Sequence, residues 1–328
     1  MFFKESENKL GKDAKLGVEF YLLNPQGEML TETGYNQNVK LPMASTKKIA
    51  IALTVFKKIL FDQTIELTTK ITIFNSHFSP GRPTNTLDQY FFKPEEMTSE
   101  KTVKELLTYM LTESDNTSTD VLLEFVGGPA AVNQLIKDLN IPGHHLTFSS
   151  KELLAEYFGF SVEKSPINIS EVLKELPFAY SLHSAEKSMV KSESDMCTPK
   201  MMADLLKLLI KEHSKKESWL GRAADLIFDI MQYCSTGDTL IKKGVSNLMP
   251  FASAFGSKQG GLGGIRNDTA FIHFHDGRWA ILSIHTCLSS LPLASRDEII
   301  ANLAKSILIK HVDFPAEESV RSNLATLS

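Results

Sequence analysis

Apolar residues recur three and four positions apart along Thr46–Leu60, Val103–Thr112, Thr119–Val126, Ala130–Leu139, Pro199–Glu212, Ala223–Met231 and Ser295–Ile309. That period lines up one face of an α-helix, so each stretch is predicted helical. Near the chain ends the pattern changes. Leu16–Leu23 is rich in β-formers and runs into Asn24-Pro25-Gln26-Gly27, a turn in which proline presets φ and glycine accepts the left-handed region; Glu28–Thr33 reads as the return strand. Thr269–His275 and Arg278–His285 flank Asp276-Gly277, a strong hairpin signal. Strands at both ends with helices between them predict an α+β fold, in which one antiparallel sheet from both chain ends is flanked by helices and an all-helical lobe is inserted. The expected boundaries are 16–45 plus 240–311 for the sheet lobe and 46–239 for the helical lobe, with a site at their seam. Ile73–Glu100 and Tyr157–Glu193 are the least patterned stretches, and loops of that length usually border function.

Composition narrows the functional classes. With 35 Lys+Arg against 39 Asp+Glu, the net charge of −4 leaves no basic footprint for nucleic acid. A spanning helix needs ~20 mainly apolar residues; Ile49–Leu60 and Trp279–Ile284 are too short or interrupted, so no membrane span is expected. At the start, Met1, Phe2 and Phe3 are followed at once by Lys4, Glu5, Glu7 and Lys9, which is not an export signal. The expected compartment is therefore periplasmic or extracellular only if a leader has been removed, and cytoplasmic otherwise. Cys197, Cys234 and Cys287 are too few for a disulfide framework and read as buried thiols.

Three short motifs carry candidate chemistry. Ser45 stands at the start of a predicted helix with Lys48 one turn later, bringing an amine within reach of a hydroxyl. A serine hydroxyl needs a neighbouring base to become nucleophilic, and a lysine neutralised by burial is one. The helix start also aims backbone N–H groups at any oxyanion formed there. Alone, the pair reads as a capping serine and a solvated lysine. Ser114-Asp115-Asn116 lies between helices and suits a cap as well. Gly256-Ser257-Lys258-Gln259-Gly260-Gly261 places a lysine beside glycines near a strand edge, where backbone can approach a ligand while the cation holds an anion. His273 and His275 are two apart on one strand with no third ligand in view, so they read as structural; His144-His145, a loop pair, reads as solvated or as part of the loop border. No metal or cofactor is expected.

In that order and context, S-x-x-K, S-D-N and a K-x-G resemble the serine β-lactamase/DD-peptidase superfamily, most closely its class A branch, over about residues 16–311. The resemblance implies a hydrolase with Ser45 as acylated nucleophile and Lys48 as its base. It implies that Ser114 relays a proton to the leaving nitrogen, Asn116 holds Lys48 and the substrate amide, and Lys258 attracts the substrate carboxylate. Backbone N–H groups of Ser45 and Gly261 would form the oxyanion hole, and Arg266 is the candidate second carboxylate contact. A monomer acting on a small molecule follows: a β-lactam, a D-amino-acid peptide or an ester. The alternatives are a penicillin-binding DD-peptidase or esterase, and a non-catalytic ligand-binding domain that keeps the fold.

Two departures bear on mechanism. Gln259 stands where the family carries a small hydroxyl that bonds the substrate carboxylate. The class A deacylating glutamate lies some 34 residues after the S-D-N asparagine, which here falls on Ser150, leaving Glu152 as the nearest candidate base and a first-turn helix glutamate as its plain reading. Slow deacylation is expected if no base is placed. The surplus length over the class A pattern falls in Met1–Lys15, Ile73–Glu100 and an insertion near 157–193.

Overall fold

The computed structural model describes residues 2–79, 86–87, 98–158 and 180–313. Its centre is a five-stranded antiparallel sheet of β1 (Lys15–Leu23), β2 (Met29–Tyr35), β3 (Ala252–Leu262), β4 (Ile265–Phe274) and β5 (Trp279–Cys287), in the spatial order β2-β1-β5-β4-β3. Both expected hairpins form. Gly27 (φ +79°) and Gly277 (φ +86°) take the left-handed conformation that other residues adopt only under strain.

Alternation along β1 divides the core. Val18, Phe20 and Leu22 join the cluster beneath the C-terminal helix Leu293–His311, while Tyr21 and Leu23 join the cluster shared with the helical lobe. That lobe is built on Lys48–Phe61, which is apolar almost all round and buried from Lys48 to Phe56 against Pro199–His213, Trp219–Met231 and their neighbours.

The structure adds elements that periodicity missed. Phe2–Leu10 is helical and packs on the C-terminal helix, where burial of Leu10 supplies the anchor. Lys70–Phe74 pairs with Thr98–Thr102 inside the border expected to be unpatterned, and the intervening residues 80–85 and 88–97 lie outside the described part. Helix 103–112 does not run regularly to its end: it is α-helical over Val103–Thr108, then widens to a π-turn over Tyr109–Glu113 immediately before Ser114. Of His144-His145, His145 is exposed as expected, but the pair is not loop. It forms a short strand against Met196–Cys197, with His144 Nδ1 3.0 Å from Asn133 Oδ1, and burial pushes the His144 pKa down to about 4. His273 stacks on Trp279 at 3.9 Å between ring centroids, whereas His275 lies in the turn beyond the strand. All three cysteines are buried and free.

Candidate active site

Three backbone segments meet at the seam between sheet and helices. The first is the turn before Lys48–Phe61. Ala44 takes φ +46° and a 3-10 turn spans Ala44–Lys47, so the chain enters the helix through a left-handed residue that is neither glycine nor asparagine. Such strain persists only where surroundings impose it, and the imposing groups are identifiable. Asn267 of β4 donates from Nδ2 to the Pro42 and Met43 carbonyls at 2.7 and 3.1 Å, while its Oδ1 accepts from the Thr286 N–H. Behind Ser45, Lys47 is buried and donates to Asp195 Oδ2 at 2.7 Å and to the Phe148 carbonyl at 3.0 Å. Asp195 Oδ1 in turn accepts from the Thr147 and Phe148 N–H groups.

The second segment is Ser114-Asp115-Asn116. The π-turn ends at Ser114 in the left-handed conformation (φ +62°), and Asp115 caps the helix Asn116–Phe125 by accepting from the Ser118 N–H at 2.6 Å. The capping expectation therefore belongs to Asp115. Ser114 and Asn116, on either side of it, both turn to Lys48. A π-bulge at a functional residue is a recurrent association.

Lys48 joins the two segments. It is fully buried, and its Nζ lies 2.7 Å from the Ser114 carbonyl, 3.1 Å from Ser114 Oγ and 2.9 Å from Asn116 Oδ1. Burial holds its pKa well below the ordinary lysine value, and the charge of Lys258 pushes the same way against the opposing pull of Asp115 and Asp120. A neutral amine one turn from a serine hydroxyl, with a second hydroxyl in contact, can take and pass on a proton.

The third segment is the edge strand β3. Lys258 is buried, and Gly260 packs so tightly on the nucleophile turn that a Cβ there would lie 2.9 Å from Ser45 N and 3.0 Å from the Met43 carbonyl oxygen. Absence of a side chain at residue 260 is therefore what lets the strand edge reach the backbone of Ser45. Next along, Gly261 pairs with Arg266 across the hairpin.

The remaining candidates are placed differently. Arg266 is buried, its Nε and Nη2 lie 2.5 and 2.9 Å from the two oxygens of Asp297, and its Nη1 donates to Gln259 Oε1 at 2.9 Å. Glu152 is engaged in a capping box: its Oε2 accepts from the Ser149 N–H at 2.8 Å while Ser149 Oγ accepts from the Glu152 N–H at 3.1 Å. Its side chain borders a surface cleft with Ser76, His77 and Pro129, and the plain reading as a helix-start glutamate describes these contacts. Asp120 accepts from the Ser150 and Lys151 N–H groups at 2.6 and 2.8 Å, tying the start of Ser150–Phe158 to the Asn116 helix. Among the described residues the buried Ser150 hydroxyl has no hydrogen-bond partner.

Sequence reasoning passed over the residues that hold these parts together: Asn267, the Lys47–Asp195 pair, Asp120 and Glu186. Each has its partner 30 or more residues away in the chain, so nothing in the local pattern pairs them. Among the described residues no group of three or more His, Cys, Asp and Glu side chains is arranged to hold a metal ion, and no helix is long and apolar enough to cross a membrane.

Known proteins share both the sequence and the fold. A β-lactamase from Bacteroides uniformis is 31% identical over 148 residues, 44% of this chain and 47% of that protein. Along nearly the whole chain, β-lactamase VEB-1 of Pseudomonas aeruginosa is 25% identical over 308 residues, covering 91% and 86% of the two chains. Among solved structures, the class A β-lactamase of the last common ancestor of Gram-negative bacteria superposes with a TM-score of 0.67 at 22% identity, covering 94% of this chain and 97% of its own, a likeness of fold. The sequence model of the β-lactamase enzyme family matches residues 3–311. That match means that the chain belongs to the β-lactamase enzyme family and is a β-lactamase-like serine hydrolase, with the fold of the class A enzymes.

Proposed function

We propose that the enzyme opens β-lactams through an acyl-enzyme on Ser45 and releases the product slowly. The observation that carries the acylation half is the Lys48 amine, fully buried and held between Ser114 Oγ and Asn116 Oδ1 one turn from Ser45. Lys48 takes the Ser45 proton as Oγ attacks the lactam carbonyl. The Ser45 and Gly261 N–H groups receive the oxyanion, and Ser114 passes a proton to the departing ring nitrogen. Lys258 attracts the substrate carboxylate and lowers the pKa of Lys48 by like-charge repulsion.

Slow release is supported by the residue that the sequence count sets at the water-activating position, Ser150 in place of a glutamate. The nearest carboxylate along the chain, Glu152, is taken up by its own helix start, and the Asp120 carboxylate beside Ser150 is occupied by the Ser150 and Lys151 N–H groups. The same Ser–Lys machinery would serve an ester or a D-amino-acid peptide. A chromogenic cephalosporin gives the test: a burst of about one equivalent of ring opening, then a much slower steady phase, is expected, whereas linear turnover with no burst contradicts slow release. Ser45→Ala should lose both phases.

A further inference from the structure

The surplus stretch near 157–193 reaches the nucleophile turn from outside. Its described helix, Tyr180–Ser192, sets Ala185 and Met189 into an apolar cluster with Leu153, Tyr157, Leu262 and Ala44. The single carboxylate on that helix, Glu186, is buried and given over to backbone: Oε2 accepts from the Gly264 N–H at 2.9 Å and Oε1 from the Leu288 N–H. Gly263-Gly264 is the two-residue turn that closes the edge strand β3 onto β4, with Leu262 opposite Ile265 and Gly261 opposite Arg266. The pair flanking such a turn is the hydrogen-bonded one and pairs alternate, so Gly261 turns its N–H away from β4, out of the sheet edge and toward the seam. An edge N–H has no ladder bond to fix it, and its direction is inherited from the turn two residues on. Side chains from three elements grip that turn. Besides Glu186, Arg296 of the C-terminal helix donates from Nη1 to the Gly263 carbonyl at 2.6 Å, and the Tyr157 hydroxyl lies so close that a Cβ on Gly263 would come within 1.7 Å of it.

We propose that Glu186, seconded by Arg296, is a positioning residue for acylation: by holding the Gly263-Gly264 turn it aims the Gly261 N–H at the oxyanion that forms when Ser45 is acylated. The inserted helix is then a working part of the active site although none of its side chains meets the substrate. The inference rests on the β-lactam reading above. It also accounts for the two glycines of the turn, since a Cβ on Gly264 would lie 2.6 Å from Glu186 Oε2 and one on Gly263 would strike Tyr157.

Two readouts with benzylpenicillin separate this role from a purely structural one: the limiting single-turnover acylation rate with its half-saturating concentration, and the infrared band of the acyl-enzyme ester carbonyl. Removing an oxyanion donor outright costs about 100- to 1,000-fold, so a donor left in place but misdirected should cost about tenfold. Glu186→Gln keeps one of the two acceptor oxygens and is milder than truncation. It should lower the limiting rate by about tenfold, leave the half-saturating concentration within twofold, and move the ester band to higher wavenumber, as a carbonyl that has lost a donor does. Arg296→Met, which frees the Gly263 carbonyl, should move rate and band in the same directions. Leu135→Ala opens a cavity in helix Pro129–Asp138, away from the turn, and should lower stability while leaving both readouts unmoved. Either Glu186→Gln or Arg296→Met, folded and acylating within twofold of wild type with an unmoved band, would overturn the proposal, as would a Leu135→Ala band displaced as far as theirs. A wild type that is never acylated overturns the β-lactam reading, and this inference with it; an acylated wild type whose rate and band ignore both turn variants overturns this inference alone.

Discussion

Glu19 offers the sharpest test of the energetics. It lies on β1 between Gly34 and Ser283 and is fully buried, and among the described residues no side chain hydrogen-bonds either carboxylate oxygen. Desolvation raises its pKa to about 7, with Lys200 and the Phe20 N–H pulling down and Glu32 and Asp204 pushing up. An unfolded glutamate titrates near ~4.3, so the gap of roughly 2.5 units at 1.36 kcal/mol per unit amounts to about 3 kcal/mol. The sign follows from proton counting. Between those pKa values the folded state keeps a proton that the unfolded chain has released, so stability falls as pH rises and the full cost is present above the folded value. About 2 kcal/mol of it falls between pH 5 and pH 9. Glutamine carries no titrating proton, and any cost of its unpaired amide is the same at every pH. Urea unfolding of wild type and Glu19→Gln across that range should therefore show the variant gaining about 2 kcal/mol relative to wild type. Asp268, also raised to about 7 by burial, is present in both proteins and cancels. Parallel stability curves would refute the reasoning, because they would mean that Glu19 is solvated or paired in the folded state.

Other consequences are as direct. Gly260→Ala sets a methyl 2.9 Å from Ser45 N, against backbone that cannot swing away, and should slow acylation by about 100-fold or more while circular dichroism stays native. Glu186 accepts from the N–H groups of Gly264 and Leu288, joining helix Tyr180–Ser192 to the turn after Gly261; Glu186→Ala should cost about 2–4 kcal/mol in urea unfolding and speed amide exchange at both positions. The acylation rate should decline as pH falls through the lowered pKa of Lys48. Because Lys258 contributes to that lowering, Lys258→Ala should move the acid limb of the single-turnover rate to higher pH; a limb that stays put would mean that another group is the base.

Much of this was legible in the sequence because period and turn chemistry are local. The Asp276-Gly277 hairpin, the Asn24–Gly27 turn and the Ser45–Lys48 spacing each depend on residues within a few positions of one another. Legibility failed where a contact spans the chain. Asn267 reaches the Pro42 and Met43 carbonyls from more than 220 residues away, and Lys47 finds its counter-ion at Asp195. Nothing in the spacing of either pair announces it. Arg266 is the instructive intermediate case: its charge near Lys258 suggested an anion contact, but only packing against the C-terminal helix reveals Asp297 as the partner that turns it toward Gln259. The π-turn before Ser114 was likewise invisible, because the apolar period of residues 103–112 continues unchanged through it.

The central claim is a covalent intermediate on Ser45, and intact mass spectrometry after mixing with benzylpenicillin tests it most directly. Ring opening expels no leaving group, so the account predicts a wild-type adduct equal to the whole penicillin, located on the peptide holding Ser45, fading slowly, and missing from Ser45→Ala. An unmodified wild type, or an adduct that survives Ser45→Ala, would contradict it.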